Sequence, residues 1–136
     1  KQLLVGSQAD AQAFQLVRSA YQHARQTEDE KVKRQAAIQA AWLKAVEVPM
    51  ENTQLCLRVY ALGVDLGKHV NPKVISDLRC GLLLAAAGLQ GCLENVYINL
   101  PALKDTACKQ QLAAQTDDLK MRFAALQEAA TMVLVD

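Results

Sequence analysis

The sequence predicts an all-α protein, a bundle of about five long antiparallel helices. Apolar residues recur at alternating steps of three and four along most of the 136 residues, which is the period of one helix face. Capping signals and prolines divide the chain into a few long helical segments. No segment alternates apolar and polar residues in the way that a half-buried strand does. The length favours a single domain over 1–136.

The first predicted helix covers residues 3–24 and carries one carboxylate within its apolar pattern. Asp10 stands between two alanines, where an acid has no capping role. One interpretation is a solvated side chain. The other is an inward-facing acid, because Phe14 lies four residues on and would flank it on the same helix face.

The middle of the chain predicts two helices that meet at a proline. Thr27 and Glu30 form a capping box, in which each side chain bonds the backbone amide of the other residue. A helix over 28–48 follows. Pro49 lacks an amide hydrogen and clashes with the preceding turn, so we expect it to kink or end this helix. A further helix is predicted over 50–68.

Residues 71–99 form the segment around which the other helices are expected to pack. Asn71 is a capping residue and Pro72 suits a first helical position. One face is apolar: Leu78, Leu82, Ala85, Leu89, Cys92 and Val96. A second face is lined by glycine between two polar ends: Asp77, Gly81, Leu84, Gly88, Gly91 and Asn95. The glycines indicate either close helix packing or a surface left bare for a ligand or a second subunit.

After Pro101 the last helix is predicted to begin at Asp105 or Thr106 and to run to about Val135. Segments 3–24, 28–48, 50–68, 71–99 and this last one make up the predicted bundle.

Composition narrows the classes of partner. The net charge of +1 and the lack of a basic run give no case for nucleic acid. The longest apolar run, 81–89, is too short to cross a bilayer, and no secretory signal is visible, so we expect no membrane. The four cysteines have neither paired spacing nor histidine neighbours that would suggest a metal site. We expect buried free thiols and a cytoplasmic protein.

Five short motifs in register resemble those of the cyclodeaminase/cyclohydrolase family, which includes formiminotransferase-cyclodeaminases and methenyltetrahydrofolate cyclohydrolases. In this sequence they are ADAQAF at 9–14, TEDEK at 27–31, VPM at 48–50, NPKVISD at 71–77 and NVYINL at 95–100. They are similar to the family patterns D-x-x-A-F, T-x-E-E-K, V-P-L, G-N-x-x-x-I-S-D and N-V-x-I-N-L. Their order and spacing agree over most of the chain.

The sequence also departs from the family pattern. Val70 stands where the family has glycine, and Ala24 and Arg25 stand where it has proline and lysine. The family's P-T-P-G-G-G segment and a further long helix are absent from the start of the sequence. We therefore expect either a fragment or a shortened member.

The resemblance implies folate one-carbon chemistry. A cyclodeaminase closes 5-formiminotetrahydrofolate to 5,10-methenyltetrahydrofolate and releases ammonia, whereas a cyclohydrolase opens the methenyl bridge with water. Both reactions need acid/base groups near the bridging carbon. The expected substrate is a tetrahydrofolate derivative, with no cofactor and no metal.

Two acids and five polar side chains are the candidate site residues. Asp77 leads as the catalytic acid or base and Asp10 is second. The expected substrate-binding residues are Asn71, Asn95, Asn99, Lys73 and Arg25. Asn95 and Asn99 would contact the pterin, although Asn99 also suits a helix end. Lys73 and Arg25 would meet the glutamate carboxylates or simply remain solvated.

Helix geometry separates two of these candidates. Asp77 and Asn95 are 18 residues apart, or about 27 Å along a helix. They can share a small site only if a second subunit pairs antiparallel with the same helix. We therefore expect a homodimer, which the resemblance also implies. A non-catalytic helical dimerisation domain derived from this family is the alternative function.

Overall fold

The computed structural model describes residues 1–133 and confirms an all-α protein. Among these residues there is no strand, and four long helices account for most of the chain: α1 (Gln2–Tyr21), α2 (Glu28–Gly67), α3 (Ile75–Asn99) and α4 (Thr106–Val133). Short 3-10 helices, Pro72–Val74 and Leu100–Ala102, flank α3. The predicted continuation of the last helix to Val135 lies outside the described residues.

The number of helices differs from the expected five because Pro49 does not end a helix. It lies inside α2, which runs unbroken for 40 residues and replaces the two helices predicted over 28–48 and 50–68. A proline at position 49 cannot donate to the carbonyl of Ala45 one turn earlier. The side-chain amide of Asn99 donates to that carbonyl instead, with a nitrogen–oxygen distance of 2.9 Å. A neighbouring helix thus supplies the hydrogen bond that the proline removes.

The helix starts follow the capping chemistry of the sequence. Thr27 accepts a hydrogen bond from the Glu30 amide at 3.2 Å, and the Glu30 carboxylate accepts one from the Thr27 amide at 3.1 Å. Asp105 caps α4 by accepting from the Cys108 amide at 3.0 Å. Asn71 caps the 3-10 helix at Pro72–Val74, so α3 itself begins only at Ile75.

The helix α2 is the central element, since α1, α3 and α4 all pack against it. One core cluster joins α2, α3 and α4: Cys56, Leu57, Tyr60, Val64, Leu82, Leu89, Leu93, Leu119, Phe123 and Ala130. Within it the rings of Tyr60 and Phe123 meet edge to face, with centroids 5.2 Å apart. A second cluster joins α1 to α2: Ala13, Val17, Ala20, Ile38, Ala41, Ala45 and Val48.

The helix α3 buries one side and leaves the other bare. Its buried residues belong to the predicted apolar face or lie next to it: Leu82, Leu89, Leu93 and Val96. On the opposite side Leu83, Leu84 and Ile98 are 70%, 75% and 76% exposed. The stretch Pro72–Ala102 is long and apolar enough to cross a membrane by length and composition, and only 22% of its most apolar window is buried. An exposed apolar surface of this size is typical of an interaction site.

Candidate functional site

A groove of about 530 Å³ opens where α1, α2 and α3 meet. Its walls are mostly apolar, with a few polar side chains between them. The lining residues are Leu3, Ser7, Asp10, Asn52, Cys56, Val59, Gly81, Leu84, Ala85, Gly88, Cys92 and Asn95. This volume and this mixture are typical of small-molecule sites.

Asp10 supplies the carboxylate of the groove. Leu3, Ser7 and Asp10 follow one another at helical spacing along α1, so all three reach the same side of that helix. Asp10 is half-buried and is the one charged residue among those that line the groove. Its inward position agrees with the second sequence interpretation. The predicted packing of Phe14 beside Asp10 is wrong, because Phe14 is 56% exposed.

Asn52 is a groove residue that is absent from the candidates predicted by sequence. Its side chain is only 7% exposed, and no hydrogen bond to it is found within residues 1–133. A β-carbon built on Gly6 would lie 1.8 Å from the Asn52 side-chain oxygen, so the amide occupies the space that this glycine leaves open. The available signal was an asparagine at a helix-interior position between Val48 and Cys56, on an apolar face where asparagine is unfavourable.

The glycines of α3 were expected to serve either close helix packing or a bare surface. A β-carbon on Gly88 would meet the Cys56 sulfur at 3.4 Å, an ordinary packing contact with α2. On Gly81 and Gly91 a β-carbon would meet nothing within 4 Å. Packing therefore does not require glycine at any of these three positions, and Gly81 and Gly88 both line the groove.

Two thiols stand in the groove wall, Cys56 on α2 and Cys92 on α3. Burial raises the pKa of Cys92 to about 11, and the neighbouring Cys56 and the Asp10 charge act in the same direction. Burial also raises the pKa of Cys56, against a smaller lowering by its hydrogen bond with Cys92. Both thiols are therefore protonated at neutral pH and are poor nucleophiles. Asp10 is therefore the residue of the groove lining that remains as a candidate for acid/base chemistry.

The structure brings together two of the predicted site residues, Asp10 and Asn95, and leaves the others outside the groove lining. Asp77, near the start of α3, is exposed. Three more predicted residues are also exposed: Asn71, Lys73 and Arg25. Their proposed roles stay predictions.

Asn99 has a structural partner. Its side-chain amide donates to the Ala45 carbonyl, as described for the fold, and it does not line the groove. Its predicted contact with a pterin remains untested.

Comparison with known proteins identifies the family of this chain. The family described as formiminotransferase-cyclodeaminase matches residues 1–118, most of the chain. The chain belongs to this family. The resemblance drawn from the five motifs is confirmed.

Curated relatives carry names from folate metabolism. The chain is 34% identical over 88% of its length to a methenyltetrahydrofolate cyclohydrolase from Methylorubrum extorquens. It is 31% and 28% identical, each over 90% of its length, to the formimidoyltransferase-cyclodeaminases of Sus scrofa and Rattus norvegicus. The alignments span 57% of the bacterial protein and 22% of each mammalian one. Membership in the family therefore rests on a shared domain and not on the whole length of these relatives.

The arrangement of potential metal ligands completes the description of the site. In the part of the chain that the structure describes, no three His, Cys, Asp or Glu side chains are placed to hold a metal ion together. Neither of the two histidines, His23 and His69, lines the groove.

Proposed function

We propose that this chain forms the folate-binding domain of a cyclodeaminase or a cyclohydrolase. The observation that carries the proposal is the groove between α1, α2 and α3, whose lining includes Asp10, Asn95, Gly81 and Gly88. The names of the relatives supply the substrate class, a reduced folate.

Acid/base chemistry at Asp10 suits both reactions. In the hydrolase direction the carboxylate takes a proton from water as the oxygen attacks the methenyl carbon, and the same proton then passes to the ring nitrogen when its bond to that carbon breaks. The remaining hydroxyl proton is released to solvent as the formyl carbonyl forms. In the deaminase direction a nitrogen of the folate attacks the formimino carbon. Asp10 accepts the proton from that nitrogen and returns it to the departing ammonia.

Charge gives a second reason for placing the reacting carbon beside Asp10. The methenyl bridge is a cationic amidinium, and Asp10 is the charged residue of the groove lining. Because the surrounding walls are largely apolar, the attraction between the two charges is stronger there than in water. Lys73 and Arg25 remain the proposed partners of the glutamate carboxylates. Because Arg25 precedes α2 and Lys73 follows it, the 40 residues of this helix, about 60 Å, keep them from reaching one folate within a single chain.

The decisive measurement follows the absorbance of 5,10-methenyltetrahydrofolate, with ammonia release from 5-formiminotetrahydrofolate as the parallel assay. We expect turnover by one of the two routes, and a loss of about 100-fold or more in the Asp10→Asn variant. The matched control is Asp117→Asn, which alters an exposed carboxylate of α4. Wild-type turnover by Asp10→Asn would remove Asp10 from the mechanism. Folate binding without any turnover would support the alternative, a non-catalytic domain.

We also propose that the protein is a homodimer paired through the outer face of α3, defined as Leu83, Ala87, Gly91 and Ile98. All four residues are exposed. Asp77 and Asn95 lie near opposite ends of the same helix, about 27 Å apart along its axis. An antiparallel two-fold pairing would carry Asp77 of one copy toward the Asn95 end of the other. Asp77 could then act at a site completed by both copies.

Location and cofactors complete the proposal. We place the protein in the cytoplasm and require no cofactor beyond the folate substrate. The four cysteines are free, as a reducing compartment would keep them. Cys80 is exposed, contrary to the expectation of buried thiols, because it points away from the packed side of α3.

A further inference from the structure

The Asn52 amide is the most buried polar side chain of the groove, and it has no hydrogen-bond partner among residues 1–133. It is 93% buried, since its relative exposure is 7%, yet it lines an open cavity. The amide is not among the fully buried side-chain groups that lack a hydrogen-bond partner, so it faces the open groove. A polar group of a groove wall that has no protein partner is available to bind a ligand.

The position of this amide is fixed from the opposite helix. Gly6 on α1 leaves the space that the Asn52 side-chain oxygen fills, and any side chain there would collide with it. One turn further along α1 stands Asp10, about 6 Å away along the helix axis. Asn52 and Asp10 are thus two polar points in the same groove, separated by roughly one helical turn.

The chemistry of an amide selects its partner. A carboxamide presents one acceptor and one donor side by side, and it pairs with a ligand edge that presents a donor beside an acceptor. Asparagine reads the edge of adenine in this two-point manner. The pyrimidinone ring of a pterin carries such an edge, a ring N–H next to a carbonyl. Leu3, Val59 and Leu84 provide apolar surface for the faces of a flat ring.

We propose that Asn52 binds the pyrimidinone edge of the pterin through two hydrogen bonds and so fixes the ring with its reacting side toward Asp10. The inference rests on the proposed function, because it assumes a folate in the groove. It adds a specificity-determining residue at a position that none of the five sequence motifs contains. Asp10 acts on the carbon bridge, and Asn52 binds the ring to which that bridge is attached.

The first test measures affinity by calorimetry, with 5-formyltetrahydrofolate as a stable reduced folate and 6-methyltetrahydropterin as the ring alone. We expect Asn52→Leu, which keeps the size and loses the hydrogen bonds, to weaken both ligands by about tenfold or more. The matched control is Gln54→Leu, the same type of change at an exposed position of α2 outside the groove. Its affinities should remain within about twofold of the wild type.

A second test keeps the Asn52 residue and displaces its side chain by a substitution on α1. Gly6→Ala forces the side-chain oxygen to shift, so it should weaken binding in the wild type. In an Asn52→Ala background the same substitution meets no amide and should change the affinity little. This double-mutant cycle isolates the amide from any general effect on α1. It also keeps the proposal testable if Asn52→Leu does not fold.

The outcomes test the role of Asn52 separately from the proposed function on which it rests. If the wild type binds 5-formyltetrahydrofolate and Asn52→Leu binds it equally well, the role of Asn52 is refuted and the folate site stands. That role is refuted as well if only the folate is weakened and the free pterin is not, because the contact would then lie with the tail. If the wild type binds no reduced folate, the proposed function fails and this inference fails with it.

Discussion

Asn99 lies at the end of α3, yet its amide completes the hydrogen bonding of a carbonyl in the middle of α2. The carbonyl belongs to Ala45, which is itself buried, and its usual donor is missing because residue 49 is proline. An unpaired carbonyl in that position would be costly. The bond therefore joins two helices and compensates for a local defect at the same time.

Removal of this bond should destabilise the protein. We expect Asn99→Ala to lower the free energy of unfolding by about 1–2 kcal/mol in urea titrations. In a Pro49→Ala background, residue 49 can donate to Ala45 again, and the same substitution should cost about 0.5 kcal/mol. An equal cost in both backgrounds would show that Asn99 acts by some other contact.

The thiol of Cys92 provides a chemical probe of the groove. Because burial and its neighbours raise its pKa to about 11, little thiolate exists at neutral pH. We expect iodoacetamide to label Cys92 slowly at pH 8, and the rate to rise about tenfold for each pH unit up to about pH 11. Peptide mass spectrometry at several pH values measures this rate.

Two controls accompany the labelling. Cys80 is exposed on the same helix and should be modified first at pH 8. Asp10→Asn removes a nearby negative charge that raises the Cys92 pKa, so labelling of Cys92 should begin at a slightly lower pH in that variant. Labelling of Cys92 as fast as Cys80 at pH 8 would contradict the pKa assigned to it.

At the scale of the element, the glycines of α3 lower the stability of the helix but leave the groove wall without side chains. Glycine in a helix interior costs about 1 kcal/mol relative to alanine. At Gly81 no neighbouring atom accounts for that cost, since a β-carbon would meet nothing within 4 Å. The groove it faces is the reason that we infer for it.

Alanine substitutions should separate glycines that pack from those that face the groove. Gly81→Ala should raise the free energy of unfolding of the ligand-free protein by about 0.5–1 kcal/mol and should weaken folate binding. Gly63→Ala is the matched comparison on α2, where a β-carbon would lie 2.7 Å from a Leu82 methyl carbon. There we expect a loss of stability. Stabilisation of both variants alike would mean that packing around Gly63 adapts freely.

The elements themselves could be predicted from the sequence to the extent that their signals were local. The capping box at Thr27 and the cap at Asp105 depend on residues three positions apart, and both appear in the structure. The continuity of α2 could not be predicted, because the side chain that compensates for Pro49 comes from residue 99. A tertiary contact thus overrode the local expectation that one helix ends at Pro49.

The candidate site was predictable in part for the same reason. Asp10 stood out as an acid within an apolar pattern. Asn52 was harder to identify, since its proposed role rests on Gly6 of another helix and on the lack of a partner among the described residues. Neither fact is local in the sequence. Motif resemblance identified the family, whereas the convergence of three helices identified the groove.

At the scale of the whole molecule, the outer face of α3 presents exposed apolar side chains that contact no other helix among the described residues. Polar and charged residues interrupt its ends, Asp77 near one and Glu94 near the other. A second copy with the opposite helix direction would cover the apolar middle and leave the acidic residues toward its two ends. A helix of this length and composition can also enter a bilayer, so the two occupants must be separated by experiment.

A single charge introduced on the outer face of α3 should show whether a second copy or a bilayer covers it. Ile98→Glu introduces a carboxylate at a side chain that is 76% exposed in one chain and would be desolvated in the dimer. We expect light scattering to give a dimer mass for the wild type and a monomer mass for Ile98→Glu at micromolar concentration. Leu62→Glu, at a side chain of α2 that is 71% exposed, should remain dimeric. If Asp77 acts at a site shared by two copies, folate turnover will fall together with the dimer. A wild type that is monomeric, or that sediments with lipid vesicles, would contradict the pairing and leave the groove of each chain as a complete site.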